Sequence, residues 1–361
     1  MKQERSVIKN MMKSTIKSAT TSAMESPMSD THEWGRQRRR VVQGLAALAA
    51  GPGLLSQGWA QEWKPTKPIR LIVGFGPGGS ADILARTLQG PMSQKLGTQI
   101  VVENIAGASA QIAVGTLARS APDGHTIGLA FVGSHAINPA LYGSKLPYRV
   151  PDDFTPITRV VSQPNVLIIN NNVPAKNVQE FVAWIKANPG QNFGSAGIGT
   201  SNHLCGELIG LRYNTKLVHI PYKGAAQVLV DLMGGVIPMT FDNVTTGAKL
   251  ASEGKVRAIA VTTAIRSPRM PNIPTFAESG APGFDLASWQ GLFAPKGLPP
   301  VILKALYEAA LFAMNEPAAN KRLVELGSEP APMDPAQFSA FILEEMKKWG
   351  DIVRQAGVKP E

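Results

Sequence analysis

Two glycine-rich loops in this chain combine residue types that bind anions. The first, residues 74–79, follows the apolar run 69–73, and its glycines are Gly74, Gly76, Gly78 and Gly79. Glycine lets a backbone adopt positive φ and approach a ligand closely. Ser80 is a candidate N-cap for the helix that follows, and Asp82 lies in its first turn. Free N–H groups and the positive end of the helix dipole then point at one spot, which predicts an anion site.

The second glycine loop, residues 194–200, repeats this arrangement further along the chain. Its candidate ligand residues, with the helix start that follows, are Ser195, Gly197, Gly199, Thr200 and Ser201. Such residues are most often only turn and cap residues, and Thr200 and Ser201 are alternative N-caps. The presence of two such loops in one chain favours a protein in which two lobes hold one anion. No sequence between the loops repeats, so a duplication is not indicated.

The elements around the first loop predict a parallel α/β lobe. Strands at residues 69–73, 99–103 and 126–131 alternate with helical patterns. The loops 104–109 and 133–135 therefore fall at the same edge of the sheet as the first glycine loop. Ligands of such sheets collect at the carboxyl ends of the strands, so Ser134 joins the candidate ligand residues.

A second alternating α/β lobe is predicted between two crossings of the chain. The extended runs 154–161 and 166–169, separated by Gln163 and Pro164, form the first crossing, and residues 289–294 form the second. The expected division is residues 61–162 with 291–361 for lobe 1, and residues 163–290 for lobe 2. Three helices close the chain and are expected to pack on lobe 1.

Residues 1–60 are predicted to be an N-terminal extension and a signal peptide. Arg38, Arg39 and Arg40 precede an apolar run at residues 41–55, which is too short to span a membrane as a helix. Small residues then allow cleavage between Ala60 and Gln61. The arginines are compatible with twin-arginine export, and the Sec route remains open. The expected product is a soluble periplasmic protein.

The charge distribution and the cysteine content argue against nucleic-acid binding and against a disulfide-stabilised protein. The chain has a formal net charge of +10, but residues 1–60 contribute 9 basic and 4 acidic side chains, which is half of that net charge. The remainder has no basic cluster interleaved with aromatics, so nucleic acid is not an expected partner. Cys205 is the single cysteine, which excludes an intramolecular disulfide.

Several motifs in order along the chain resemble one family, the Bug receptors of tripartite tricarboxylate transporters. The matching stretches are GFGPGGSADILAR, GSAGIGTSNHL, HIPYKGAAQVLVDLMGG, FDN, RSPRMPNIPTFAESGAPGF and WQGLFAPKGLP. The resemblance covers essentially all of the chain after residue 60. Two departures border the predicted site. Gly76 stands where the family usually has a proline, and residues 106–110 (AGASA) replace its usual Pro-Gly-Ala-Gly-Gly run.

The resemblance implies a two-lobed periplasmic binding protein of type II-like fold. Such a receptor closes around a small carboxylate and delivers it to integral-membrane permease subunits. It implies no cofactor, no metal and no enzymatic activity, and we expect a monomer. It also adds Phe75, His203 and Asp242 to the ligand-binding candidates, with Asp242 at the rim of the cleft, and it supports Gly78, Gly79, Ser80 and Asp82 in the first loop.

The sequence also contains partial signals for an oxidoreductase, a metal site and a hydrolase. Gly74, Gly76 and Gly79 satisfy G-x-G-x-x-G, and Glu103 lies at a strand end about 24 residues further on, so an exported NAD(P)-dependent oxidoreductase is the main alternative. A metal site at His203 and Cys205 lacks further ligands in sequence. A hydrolase at Ser195 lacks the nucleophile elbow, because Phe193 occupies the place of its first glycine.

Overall fold

The structure is a computed structural model that describes residues 63–360, so the predicted signal peptide lies outside the described residues. Its first lobe contains three parallel strands in the order β2-β1-β3, which are β1 (Ile69–Val73), β2 (Ile100–Asn104) and β3 (Thr126–Phe131). The intervening helices are α1 (Ser80–Leu96) and α2 (Gln111–Ala118). The carboxyl ends of all three strands lie at one edge, as the sequence predicts.

The second lobe repeats the parallel arrangement with a different set of elements. Its parallel strands are β5 (Gln191–Ser195), β6 (Leu217–Pro221) and β7 (Met239–Asn243). Its helices are α4 (Val178–Ala187), α5 (Ser201–Arg212), α6 (Ala225–Met233) and α7 (Val244–Ser252), and β8 (Arg257–Val261) completes the lobe. The α/β fold class is confirmed in both lobes.

Two long strands connect the lobes. β4 (Phe154–Ile169) and β9 (Ala287–Pro295) pair antiparallel with each other as far as Pro164 and Ala287. From Asn165 onward β4 pairs with β7 and β8 instead. The prediction of two separate runs at 154–161 and 166–169 was wrong, because Pro164 is accommodated where the strand changes partners. The lobe boundaries at 162/163 and 290/291 stay a prediction.

The carboxyl-terminal helices pack on the outside of the sheets. They are α8 (Pro300–Asn315), α9 (Pro317–Glu325) and α10 (Pro335–Ala356), and the two-residue strand β10 (Glu329–Pro330) pairs with β4. Helices α8 and α9 contact α1 of the first lobe, as expected. Helix α10 contacts β4 and also α5 of the second lobe. No helix within residues 63–360 is long and apolar enough to cross a membrane.

The predicted 133–135 loop is not a loop. Residues Gly133–Ile137 form a π-helix that continues directly into the short helix α3 (Asn138–Tyr142). The segment is fully buried, so its backbone groups need internal partners, which a helix supplies and an irregular loop does not. The prediction failed because the segment is too short for a helical period to be visible.

Candidate functional site

The first glycine loop ends at a helix whose N-terminus has free donors. Gly79 is the N-cap of α1 with extended backbone (φ −77°), and among the described residues no side chain caps this helix. The predicted cap at Ser80 was therefore wrong: Ser80 is the first helical residue. Because first-turn N–H groups have no partner inside a helix, this end of α1 presents unpaired donors and a positive dipole. Residues 76–79 are exposed, so an anion can reach it.

Asp82 explains how the loop keeps its shape without a capping serine. Its buried carboxylate accepts a hydrogen bond from the Gly78 N–H (2.9 Å) and one from Arg86 Nε (3.0 Å). Burial opposes ionisation, but these hydrogen bonds outweigh it and hold the pKa of Asp82 below its usual value. Gly78 has φ +81°, which glycine adopts at no cost. The structure thus gives Asp82 a role in positioning the loop, and its contact with a ligand stays a prediction.

The second glycine loop is held by hydroxyl groups. Thr200, one of the two alternatives predicted, is the N-cap of α5, and its hydroxyl accepts from the His203 N–H and donates to the Gly197 carbonyl (2.8 Å). The Ser195 hydroxyl accepts from the Gly197 N–H (3.1 Å). Both side chains are buried and hydrogen-bond to the backbone of the loop. They fix its backbone, and Ser201 is the first residue of the helix that the loop precedes.

Two stacked histidines support this loop from behind. The His203 and His219 rings lie 3.7 Å apart, and His219 Nε2 is 2.6 Å from Ser195 Oγ. His203 Nδ1 accepts from the Gly199 N–H (3.3 Å), and its Nε2 lies 3.4 Å from Glu207. Burial and the neighbouring His203 lower the pKa of His219 to about 3, so His219 is neutral near pH 7. Sequence reasoning missed the role of His219: it begins the stretch HIPYKGAAQVLVDLMGG, but nothing in that stretch indicates a contact with Ser195, which lies 24 residues earlier.

Contacts between the lobes place the two glycine loops in one region. The Ser109 hydroxyl donates to the Ile198 carbonyl across the cleft (3.4 Å). A Cβ at Gly133 would lie 3.0 Å from the Gly199 oxygen, so the π-helix also contacts the second loop. In the first lobe, the half-buried Phe75 ring lies 5.0 Å from Phe131 at the end of β3. Ser109 and the π-helix of the first lobe thus contact the second glycine loop, while Phe75 of the first glycine loop lies beside Phe131, two residues before that π-helix.

The comparisons with known proteins identify the family. The sequence profile described as "Tripartite tricarboxylate transporter family receptor" matches residues 84–358. The chain belongs to this receptor family. Protein BugT of Bordetella pertussis (strain Tohama I) is 35% identical to the chain over 322 residues, which cover 89% of this chain and 98% of BugT.

Two solved receptors with bound acids share the fold. R. palustris Rpa4515, solved with adipate, has 32% identity and a TM-score of 0.77, with 82% of this chain and 99% of that chain covered. MatC (Rpa3494) from Rhodopseudomonas palustris, solved with malate, has 31% identity and a TM-score of 0.73, covering 80% of this chain and 99% of that chain. The resemblance predicted from motifs is confirmed at family level, as is the solute-binding function.

Two buried polar side chains of this receptor lie on the first-lobe side of the cleft. The Ser134 hydroxyl donates to the Phe131 carbonyl (3.0 Å) and contacts His135 Nδ1 (3.0 Å), so its partners lie within its own lobe. Asn138 is fully buried beside the Tyr148 hydroxyl, with which it interacts, although neither of its amide atoms forms a well-aligned hydrogen bond with a described residue. A buried amide with so few good hydrogen bonds has donor and acceptor capacity left over for a further polar partner. Sequence reasoning missed Asn138, because it lies inside an apolar helical stretch.

Asp242 lies deeper than predicted. Only 4% of it is exposed, and its carboxyl accepts a hydrogen bond from the Thr246 hydroxyl. The prediction of a place at the cleft rim was wrong, because Asp242 lies on β7, which is paired on both sides and covered by helices. Burial raises its pKa to about 6, although hydrogen bonds from Thr246 and the Asn243 backbone lower it in part.

We expect Asp242→Asn to stabilise the receptor at neutral pH. The folded pKa lies above that of the unfolded chain, so the carboxyl's contribution to stability is complete below about pH 4 and is lost as the pH rises through about 6. Asparagine keeps an acceptor for Thr246 and never ionises. The variant should exceed wild type by roughly 2–3 kcal/mol in free energy of unfolding above pH 7, and the gap should narrow toward pH 4.5. Urea unfolding across this range measures it, and parallel pH profiles would contradict the expectation.

Proposed function

We propose that this receptor captures a small carboxylate between the two glycine loops. The observation that carries the proposal is the uncapped start of α1, which supports an anion site, and a second helix N-terminus at Thr200 supports a matching site in the other lobe. Each terminus offers N–H groups and a positive dipole to a carboxylate oxygen. Rpa4515 and MatC were solved with adipate and malate, which supports an acid with two carboxylates, one for each loop.

Asn138 fits the same proposal. Its amide lies beside the second glycine loop, since its Oδ1 would be 2.5 Å from a Cβ at Gly199, and it lacks a well-aligned hydrogen bond. A ligand held between the loops would bring polar atoms to this place, and hydrogen bonds with them would satisfy the amide. A hydrogen bond to a charged group contributes about 1.5–3 kcal/mol. Three or four of them, less ordering costs, give roughly 8 kcal/mol, which corresponds to micromolar affinity.

The cellular location and the partner proteins that we propose follow from the family. The predicted signal peptide at residues 1–60 and the periplasmic relatives support export to the periplasm, by the twin-arginine or the Sec route. The closed, loaded receptor is then recognised by the integral-membrane permease subunits of a tripartite transporter. Closure depends on the ligand because only the closed form lets both loops contact it. We propose a monomer that binds without catalysis and without a cofactor.

The structure weakens the oxidoreductase alternative, because Glu103 already has a hydrogen-bond partner. A nicotinamide-binding acid would need a free carboxylate at Glu103 for the ribose hydroxyls. In the structure Glu103 accepts a hydrogen bond from Arg70 Nε on the neighbouring strand (2.8 Å). This favours a structural role for Glu103 and leaves the glycine loop as a carboxylate site.

A thermal-shift screen followed by calorimetry tests the proposal. The exported, processed protein is incubated with malate, succinate, citrate, adipate, aspartate and benzoate, and with NAD(H) and NADP(H). We expect one or more of the acids to raise the melting temperature by several degrees and to bind with micromolar Kd. A shift with a nicotinamide nucleotide and with none of the acids would contradict it.

A further inference from the structure

Three successive residues of the 104–110 loop have a left-handed backbone although none is glycine. Ala108, Ser109 and Ala110 have φ values of 45°, 49° and 66°. In this region the Cβ of an L-residue crowds the following carbonyl, so single residues adopt it rarely and consecutive ones more rarely still. Glycine at these positions would adopt the conformation freely.

Two of the three residues differ in burial: Ala110 is packed against its own lobe, and Ala108 is not. Ala110 is buried beneath the first glycine loop, and a Cβ at Gly74 would lie 2.2 Å from the Ala110 Cβ. Ala108, by contrast, is exposed. Strain in a backbone persists when surrounding contacts over-determine it. Ala110 has such a contact within its own lobe, so the question is what holds Ser109.

Ser109 has its contact in the opposite lobe. Its hydroxyl donates to the Ile198 carbonyl (3.4 Å). It also lies against the Gly197 backbone, because a Cβ at Gly197 would be 3.3 Å from Ser109 Oγ. Ile198 and Gly197 belong to the second glycine loop. The left-handed backbone therefore directs the Ser109 hydroxyl at the second glycine loop, which must approach when the lobes close. A glycine at this position would have no hydroxyl to offer.

We propose that Ser109 is a closing contact, which stabilises the closed form of this receptor so that the ligand-free protein already populates it. The inference rests on the proposed function in one respect only, that the lobes close in order to capture a ligand. When the lobes separate, the Ser109 hydroxyl loses Ile198, whereas the contact of Ala110 is kept. A receptor that is partly closed without ligand binds with higher apparent affinity, because less of the binding energy is used to shift the equilibrium.

Distances between spin labels on the two lobes test the contact without any ligand. Lys95 on α1 and Lys216 beside β6 are exposed and lie on different lobes, and both are replaced by cysteine in a Cys205→Ser background. Pulsed electron spin resonance then gives the populations of open and closed forms. We expect the ligand-free parent to show both populations.

Three variants separate the hydroxyl from the backbone. Ser109→Ala keeps the Cβ but removes the hydroxyl, and Ser109→Gly removes both and relieves the left-handed backbone. Both should lower the ratio of closed to open populations by about three- to tenfold, the effect of one neutral hydrogen bond. Ala108→Gly is the matched control, since it relieves the same backbone conformation at an exposed neighbour, and its populations should equal those of the parent.

The inference is overturned if Ser109→Ala has the population ratio of the parent, or if the ligand-free parent is entirely open. An equal shift in Ala108→Gly and Ser109→Gly, without one in Ser109→Ala, would assign the effect to backbone strain and also overturn it. None of these readings depends on an acid. Failure of the acid screen with a normal Ser109 result would therefore count against the proposed function alone.

Discussion

Replacement of Gly199 by valine is expected to weaken acid binding by at least about a hundredfold. Gly199 has φ +75°, and a Cβ there would lie 2.5 Å from Asn138 Oδ1 and 3.1 Å from Leu141 Cδ2. Both neighbours belong to the opposite lobe, so the added side chain prevents the approach of the lobes. A hundredfold loss corresponds to about 2.8 kcal/mol, which we expect the overlap between the lobes to exceed, because only the closed form contains it. Calorimetry with the acid that gives the largest thermal shift measures it.

Gly254→Val is the matched control for this prediction. Gly254 has a similar φ of +68°, but no atom lies within 4 Å of a Cβ placed there. Its backbone penalty should therefore lower stability as in Gly199→Val while the acid Kd stays at the wild-type value. If Gly199→Val binds the acid as tightly as Gly254→Val does, the second glycine loop does not approach the first lobe on binding, and the site is elsewhere.

Glu345→Ala is expected to lower the free energy of unfolding by about 3–5 kcal/mol. The carboxylate is 5% exposed and accepts hydrogen bonds from two buried indoles, Trp289 Nε1 (2.9 Å) and Trp349 Nε1 (2.8 Å). It also forms an ion pair with Lys348. Alanine leaves both indole N–H groups buried without an acceptor, at about 1–3 kcal/mol each. Because Trp289 lies on β9, this interaction fastens α10 to a strand that connects the lobes.

Two further variants isolate the cause of that loss. Glu344→Ala, at the exposed neighbouring position, should change stability by less than about 0.5 kcal/mol. Glu345→Gln keeps an acceptor for the tryptophans and should recover most of the loss. Urea unfolding at pH 7 compares them. A Glu345→Gln variant as unstable as Glu345→Ala would assign the effect to the charge and not to the indole hydrogen bonds.

The fold was largely predictable because its signals are local. The alternation of short apolar runs with helical patterns predicted both parallel groups, and the three helices predicted to close the chain are α8, α9 and α10. What failed depends on tertiary context. The strand β4 runs through Pro164 because its partners change there, and the π-helix at Gly133–Ile137 exists because burial demands paired backbone groups.

The two glycine loops were predictable from the sequence, but the contacts of their side chains were not. Glycine spacing after a strand indicated both loops, and Thr200 was one of two alternative caps for the second. The sequence could not show that Asp82 binds its own loop, since that depends on a hydrogen bond to Gly78 across one helical turn. Nor could it pair His219 with Ser195, or bring Asn138 to Gly199, because these contacts join elements that are distant along the chain.

A crystal structure of the processed protein with the acid that gives the largest thermal shift tests the central claim most directly. The account predicts one carboxylate within hydrogen-bond distance of the first-turn N–H groups of α1, at Ser80 and Ala81. It predicts further polar atoms of the same ligand against the start of α5 at Ser201 and against the amide of Asn138. An acid bound outside the cleft, or held by one glycine loop while the other stays apart in a closed receptor, would contradict it.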